Sequence, residues 1–145
     1  MFNTILVALD DSAIGEPMMQ VFSQLQLSSK AKIILTHVVT SDRPDDQADR
    51  PKAEGQDLYH RIEQQLKAYR EALPCTSELE IVTGDPVEEI IRLANIYQSD
   101  LIVLGSRGLT GLSRILQGSV SGQVVAEAPC SVLVIKANRE STQKP

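Results

Sequence analysis

Short runs rich in Val, Ile and Leu recur along the chain, and stretches with apolar residues at three- and four-residue spacing lie between them. The runs are ILVAL at 5–9, KIILTHVV at 32–39, ELEIV at 78–82, LIVL at 101–104 and SVLVI at 131–135. Runs of this length and composition read as strands of a parallel sheet buried on both faces. After the first run, Ile14, Met18, Val21, Phe22 and Leu25 repeat at helical spacing. Asp11 or Ser12 caps that helix, and Pro17 falls near its first turn, where a missing N–H is tolerated. Leu58, Ile62, Leu66, Tyr69 and Leu73 mark a second amphipathic helix, ended by Pro74. A third opens on Asp85 as cap, with Pro86 in the first helical position and Glu88 completing a capping box. Its apolar face is Val87, Ile90, Ile91, Ala94 and Tyr97, and Val120, Val124 and Val125 belong to a fourth helix. Five strands alternating with four helices predict an α/β domain: one open parallel sheet with helices on both faces.

Two segments fall outside this alternation. Residues 40–57 carry two Pro, one Gly and many charges, and read as a polar loop inserted after the second strand rather than as the start of the second helix. Such a loop is expected to be mobile without ligand and is a candidate lid or partner surface. Residues 138–145 read as a loose tail, leaving 1–137 as the folded domain.

The chemistry concentrates in GSRGLTGLSRILQGS, from Gly105 to Ser119, between the fourth strand and the fourth helix. Gly105 and Gly108 are separated by two residues, and Gly108 and Gly118 by nine. A long loop inside a small domain is unusual unless it binds something or is disordered. Gly118-Ser119 opens a helix, where unpaired N–H groups and the dipole favour an anion such as phosphate, and the hydroxyls of Ser119 and Ser121 add donors. Arg107 and Arg114 are either solvated or phosphate partners. No Lys follows a glycine ahead of Ser or Thr, and no GxGxxG run is present, so neither a P-loop nor a dinucleotide fingerprint applies. In open parallel sheets ligands bind beyond the carboxyl ends of the strands where strand order reverses. The glycine loop and Asp10-Asp11 leave two such strand ends.

Composition narrows the partners. The 145 residues suit one domain, and a 42% hydrophobic content is that of a globular chain. A formal charge of −5 and only 3% aromatics, without Trp, argue against a nucleic-acid surface. The apolar runs are far shorter than a membrane span, and the start of the chain lacks a targeting pattern, so a cytoplasmic protein is expected. Cys75 and Cys130 have no metal spacing and read as small buried hydrophobes in a reducing compartment. His37 reads as packed or lightly hydrogen-bonded at a strand end, and His60 as solvated.

The spacing Gly105, Gly108, Gly118, Ser119, together with DLIVLGSRGLTGLSRILQGSVS, APCSVLVIK, ILVALDDS and Thr36-His37-Val38, resembles the universal stress protein family over essentially the whole chain. The resemblance implies a Rossmann-like sheet of order 3-2-1-4-5, an ATP site (with or without Mg) of the glycine-signature type, and a homodimer paired through the last strand, Ser131 to Ile135. Carried over by position, Ala8 and Asp10 would lie beside adenine and ribose, and Val38 would meet adenine through its main chain. Gly105 and Gly108 would lie under the ribose and phosphates, and Arg107, between them, remains a candidate phosphate partner. Gly118, Ser119, Val120 and Ser121 would supply N–H and hydroxyl donors. Asp10 and Asp11 keep an alternative role as helix caps. Gly122-Gln123 stands where the family more often has Glu-Lys, and Ser131 where it more often has Pro.

Three functions follow. The first is an ATP-binding stress-response module, a homodimeric nucleotide-dependent switch with little turnover and an unidentified protein client. The second is a slow ATPase or phosphotransferase, for which an oriented nucleophile and strong charge stabilisation are needed; the glycine loop has no Lys and the sequence shows no evident base. The third is an interaction protein independent of nucleotide, which the intact glycine spacing opposes.

Overall fold

The computed structural model describes residues 2–9, 20–22, 24–25, 27–39, 52–73, 75–106 and 120–136. Strands β1 (Thr4–Ala8), β2 (Lys32–Val39), β3 (Thr76–Thr83), β4 (Leu101–Ser106) and β5 (Ser131–Lys136) form one sheet of order β3-β2-β1-β4-β5, every neighbouring pair parallel. Helices α1 (Lys52–Glu71) and α2 (Pro86–Tyr97) and helical residues 20–22 and 120–127 cover it.

The strand pattern divides the apolar residues into two cores, because successive side chains point to opposite faces. Ile5, Val7, Ile33, Leu35, Leu101, Val103 and Ile135 meet Phe22, Ile62 and Leu66 on one side. Leu6, Ile34, Ile102 and Leu104 meet Val87, Ile90, Leu93, Ala94 and Val124 on the other. Each such side chain, fully buried, contributes about 1.5–3 kcal/mol of transfer free energy, before the entropy of ordering it. The helical spacing read from the sequence is the spacing that packs. Leu58, Ile62, Leu66, Tyr69 and Leu73 all reach the first core, and Val87, Ile90, Ile91, Ala94 and Tyr97 the second, joined by Leu93.

Side-chain hydrogen bonds pin the amino ends of the strands. The Asp100 carboxylate accepts from the Asn3 N–H (2.9 Å) and the Thr4 N–H (3.1 Å), while the Asp100 N–H donates to the Thr4 carbonyl (2.9 Å). The turn into β4 is thereby locked to the start of β1. Asp85 caps α2 as expected, accepting from the Glu88 N–H at 2.9 Å, with Pro86 in the first turn. At the β3 edge, Lys32 Nζ lies 2.9 Å from Glu78 Oε1 and 5.3 Å from the Tyr97 ring centroid, and the Tyr97 hydroxyl donates to Glu80. The lysine holds the Glu78 carboxyl below its ordinary range, and the bond to Glu80 pushes the Tyr97 phenol up, so it stays protonated.

Several boundaries differ from the sequence reading. α1 begins at Lys52, so residues 52–57 of the expected polar loop are helical; residues 40–51, residue 137 and the expected tail 138–145 lie outside the described residues. A helix already anchored by four apolar positions extends through polar residues at little cost, since each added residue gains a backbone bond. Gly105 and Ser106 belong to β4 rather than to the loop, because β5 continues alongside them and pairs with both. Val125 is 55% exposed: it lies a hundred degrees around the helix from buried Val124, and only Val120 and Val124 share the inward face. The two cysteines are half-buried rather than buried, Cys75 beside the first core and Cys130 beside the second.

Gly122 lies in the helical segment, and a Cβ built on it would meet nothing within 4 Å. Gly122→Ala is therefore expected to raise stability by about 1 kcal/mol, the difference in helix propensity. Urea unfolding of the two proteins measures it, and a lower midpoint for the alanine form would contradict the description.

Candidate functional site

The central strand ends before its neighbours. The last pairings of β1 are Ala8 with Thr36 on β2 and Ala8 with Leu104 on β4. β2 runs on to Val39 and β4 to Ser106. Among the described residues, the pairing leaves a notch at the carboxyl end of β1, walled by the ends of β2 and β4. It lies where strand order reverses, since β2 follows β1 on one side and β4 joins it on the other.

Backbone direction gives the notch its polarity. In a parallel ladder alternate residues turn their N–H and C=O groups toward the same neighbour. The Leu9 N–H donates to the Thr36 carbonyl at 2.8 Å, so Thr36 faces β1. Val38, two residues on, faces the same way, beyond the last β1 pairing. Val39 faces the other way, its carbonyl accepting from the Gly84 N–H at 2.9 Å. Gly84 itself has φ 153°, and a Cβ there would come within 3.1 Å of the Glu89 side chain, so this turn into α2 requires glycine.

The side chains around the notch on the α2 face are small or aliphatic. Ala8, Val38, Val82 and Val120 all pack against the cluster that includes Leu104. On the opposite face His37 is half-buried, its Nδ1 2.9 Å from the Leu9 carbonyl oxygen. Thr36 is fully buried and satisfied, its hydroxyl donating to the Glu80 carbonyl at 2.8 Å.

Of the residues singled out in the sequence, Ala8, Val38 and Val120 are thus drawn to one cluster. Gly105 continues β4 just past the last β1 pairing, and half-buried Ser121 follows Val120 in the helical segment. Asp10, Arg107, Gly108, Gly118 and Ser119, together with Asp11 and Arg114, lie outside the described residues. His37 is half-buried and hydrogen-bonded at a strand end, as expected; its partner, the Leu9 carbonyl, is what the sequence did not give.

Neither cysteine lies at the notch: Cys75 and Cys130 precede β3 and β5, at the opposite, amino end of the parallel sheet. Burial pushes the Cys75 thiol above its ordinary value, and burial with the nearby Asp100 carboxylate does the same for Cys130, so neither is a ready thiolate. Among the described residues no group of three His, Cys, Asp or Glu side chains is placed to hold a metal ion. Also among them, no helix is long and apolar enough to cross a membrane. His60, as expected, is exposed, with Gln64 Nε2 3.4 Å from its Nε2.

Comparison with known proteins gives concordant results. The model of the universal stress protein family matches residues 1–136. A universal stress protein of Thermus aquaticus is 33% identical over 140 residues, covering 94% of this chain and all of the relative. The structure of hypothetical protein MJ0577, of Methanocaldococcus jannaschii, superposes with a TM-score of 0.78 at 27% identity, covering 95% of this chain and 98% of that one. A universal stress protein family protein of Arabidopsis thaliana, solved with AMP bound, gives a TM-score of 0.61 at 25% identity over 98% and 96% of the two chains.

Proposed function

The chain belongs to the universal stress protein family, and on that premise we propose that it is an ATP-binding regulatory module whose site is the notch at the end of β1. The observation that carries this reading is the register. β2 and β4 overrun β1, so the Val38 backbone and Gly105 face a gap over Ala8, at the point from which the glycine loop departs. The residues fit the ligand. A flat heterocycle needs a shallow apolar floor and in-plane hydrogen-bonding partners. Ala8 and Leu104 with Val120 provide the first, and the Val38 N–H and C=O the second. Asp10 at the ribose, Gly108 with Arg107 along the phosphates, and Gly118, Ser119, Val120 and Ser121 as N–H and hydroxyl donors complete the site. The relative with AMP bound supports an adenine nucleotide in general; the glycine spacing and the hydroxyls after Gly118 favour a polyphosphate. Mg, where present, would accompany the phosphates and neutralise charge there.

Binding rather than turnover is the function proposed. Interactions made alike with ground and transition states hold a ligand without accelerating its chemistry. The described residues include no activated thiol. The nucleotide state then acts on the dimer or on a client protein, in the cytoplasm.

The dimer is proposed to form through β5. This strand lies at the sheet edge, paired on one side only, and its outer N–H and C=O groups are a template for a second strand. Val132 and Val134 back one core and Leu133 and Ile135 the other, so a two-fold related β5 would extend both cores at once.

Three measurements test these readings. Gly118→Val is expected to abolish ATP binding in calorimetry while the protein keeps its fold, and Ser119→Ala to weaken binding about ten- to a hundred-fold, by loss of one charge-assisted hydrogen bond. Unchanged affinity in the valine form would remove the site. The parent is expected to turn ATP over far below the ~1–10³ per second of dedicated enzymes, and a rate in that range would make it one. Light scattering on a dilute sample is expected to give twice the chain mass. A monomer, with or without ATP, would exclude the β5 pairing.

A further inference from the structure

We propose that His37 is a positioning residue for the notch, clamping the end of β1 so that the Val38 backbone is left for a ligand. The inference rests on the nucleotide site proposed above and assigns a role within it. Leu9 N–H donates to the Thr36 carbonyl at 2.8 Å, the bond a parallel ladder would make there. The next bond of the same ladder would run from the Val38 N–H to the Leu9 carbonyl. Among the described residues, that carbonyl is met instead by the His37 imidazole, with Nδ1 at 2.9 Å.

A carbonyl oxygen only accepts, so Nδ1 carries the proton and, in the neutral ring, Nε2 does not. Two consequences follow. The β1 chain is held to β2 at Leu9 by a side chain from the opposite face, so its direction toward Asp10 is fixed without closing the ladder. The Val38 N–H, facing the same side as Thr36, stays free of that carbonyl and can donate to a ring nitrogen of the ligand. Without the imidazole, β1 would either lose its tie to β2 at the Leu9 carbonyl, keeping only the Leu9 N–H bond, or zip one step further and consume the Val38 donor. Either outcome degrades the notch. The position of His37 one residue before Val38 is what makes this possible: its side chain and the Val38 amide compete for one acceptor.

The test compares the parent with His37→Asn and His37→Leu. The Asn amide nitrogen sits at the place of Nδ1, one bond from Cγ, and can donate to the same carbonyl; Leu has similar bulk and no donor. Calorimetry with ATP and with AMP is the primary readout. Loss of one hydrogen bond is expected to weaken binding about 5- to 10-fold in the Leu form, with the Asn form within about threefold of the parent. Nitrogen-15 spectra of the imidazole in the ligand-free parent are expected to show the Nδ1–H tautomer, a readout that needs neither a variant nor a nucleotide. An Nε2–H tautomer overturns the clamp, as does equal loss in the Asn and Leu forms, or a Leu form that binds like the parent. A parent that binds neither nucleotide removes the site and this role with it. A parent that binds while His37→Leu is unchanged removes the role alone.

Discussion

The register of β1 against its two neighbours is the constraint on which the rest of the molecule depends. β1 is paired on both sides and buried on both faces, so Ile5, Leu6 and Val7 are inaccessible to solvent and contribute to two cores at once. A one-residue slip would exchange those cores, placing Leu6 where Ile5 and Val7 belong. The Asp100 carboxylate, held by the Asn3 and Thr4 amides, fixes the register from the amino end. With that end set, the shortness of β1 decides where the sheet opens, and the opening lies at its carboxyl end because every strand runs the same way.

The two ends of β1 are therefore built differently. At the amino end backbone donors are consumed by a carboxylate and by neighbouring carbonyls. At the carboxyl end the ladder to β2 gives way, after Leu9, to a side-chain bond from His37. A closed end favours stability and an open end leaves backbone groups for something else to satisfy. Buried backbone groups seldom go unpaired, so a notch with such groups facing it is a place where a ligand's hydrogen bonds are worth more than on the surface. That argument links the fold to the proposed nucleotide site more directly than any single side chain does.

The helices serve the same arrangement. α2 is fixed by the Asp85 cap at one end and at the other by Gln98 in a left-handed conformation with φ 52°. Its inward residues form the floor on which β4 and the helical segment at 120–127 meet. The β3 edge carries Glu78 and Glu80, tied to Lys32 and Tyr97, and these charges discourage pairing with another strand there. The β5 edge is apolar on both faces, and so the two edges of one sheet differ in what they can join.

What the sequence determined by itself was the set of elements and their inward faces. The periods of two and 3.6 are properties of local geometry, so Leu58, Ile62, Leu66 and Val87, Ile90, Ala94 could be assigned to buried faces from spacing alone. The Asp85 cap was legible for the same reason, because its bond spans three residues. The resemblance that the glycine spacing carried supplied the strand order that the sheet shows. Tertiary structure alone decided where each strand stops. Gly105 and Ser106 are strand because Ile135 and Lys136 lie beside them, and Val125 faces solvent because the packed face of its helix is set by Val124. It also decided that His37 reaches Leu9, a partner 28 residues away. Hydrogen bonds between distant strands depend on how far each strand overruns the next, and that length difference is fixed by pairing partners which no local period encodes.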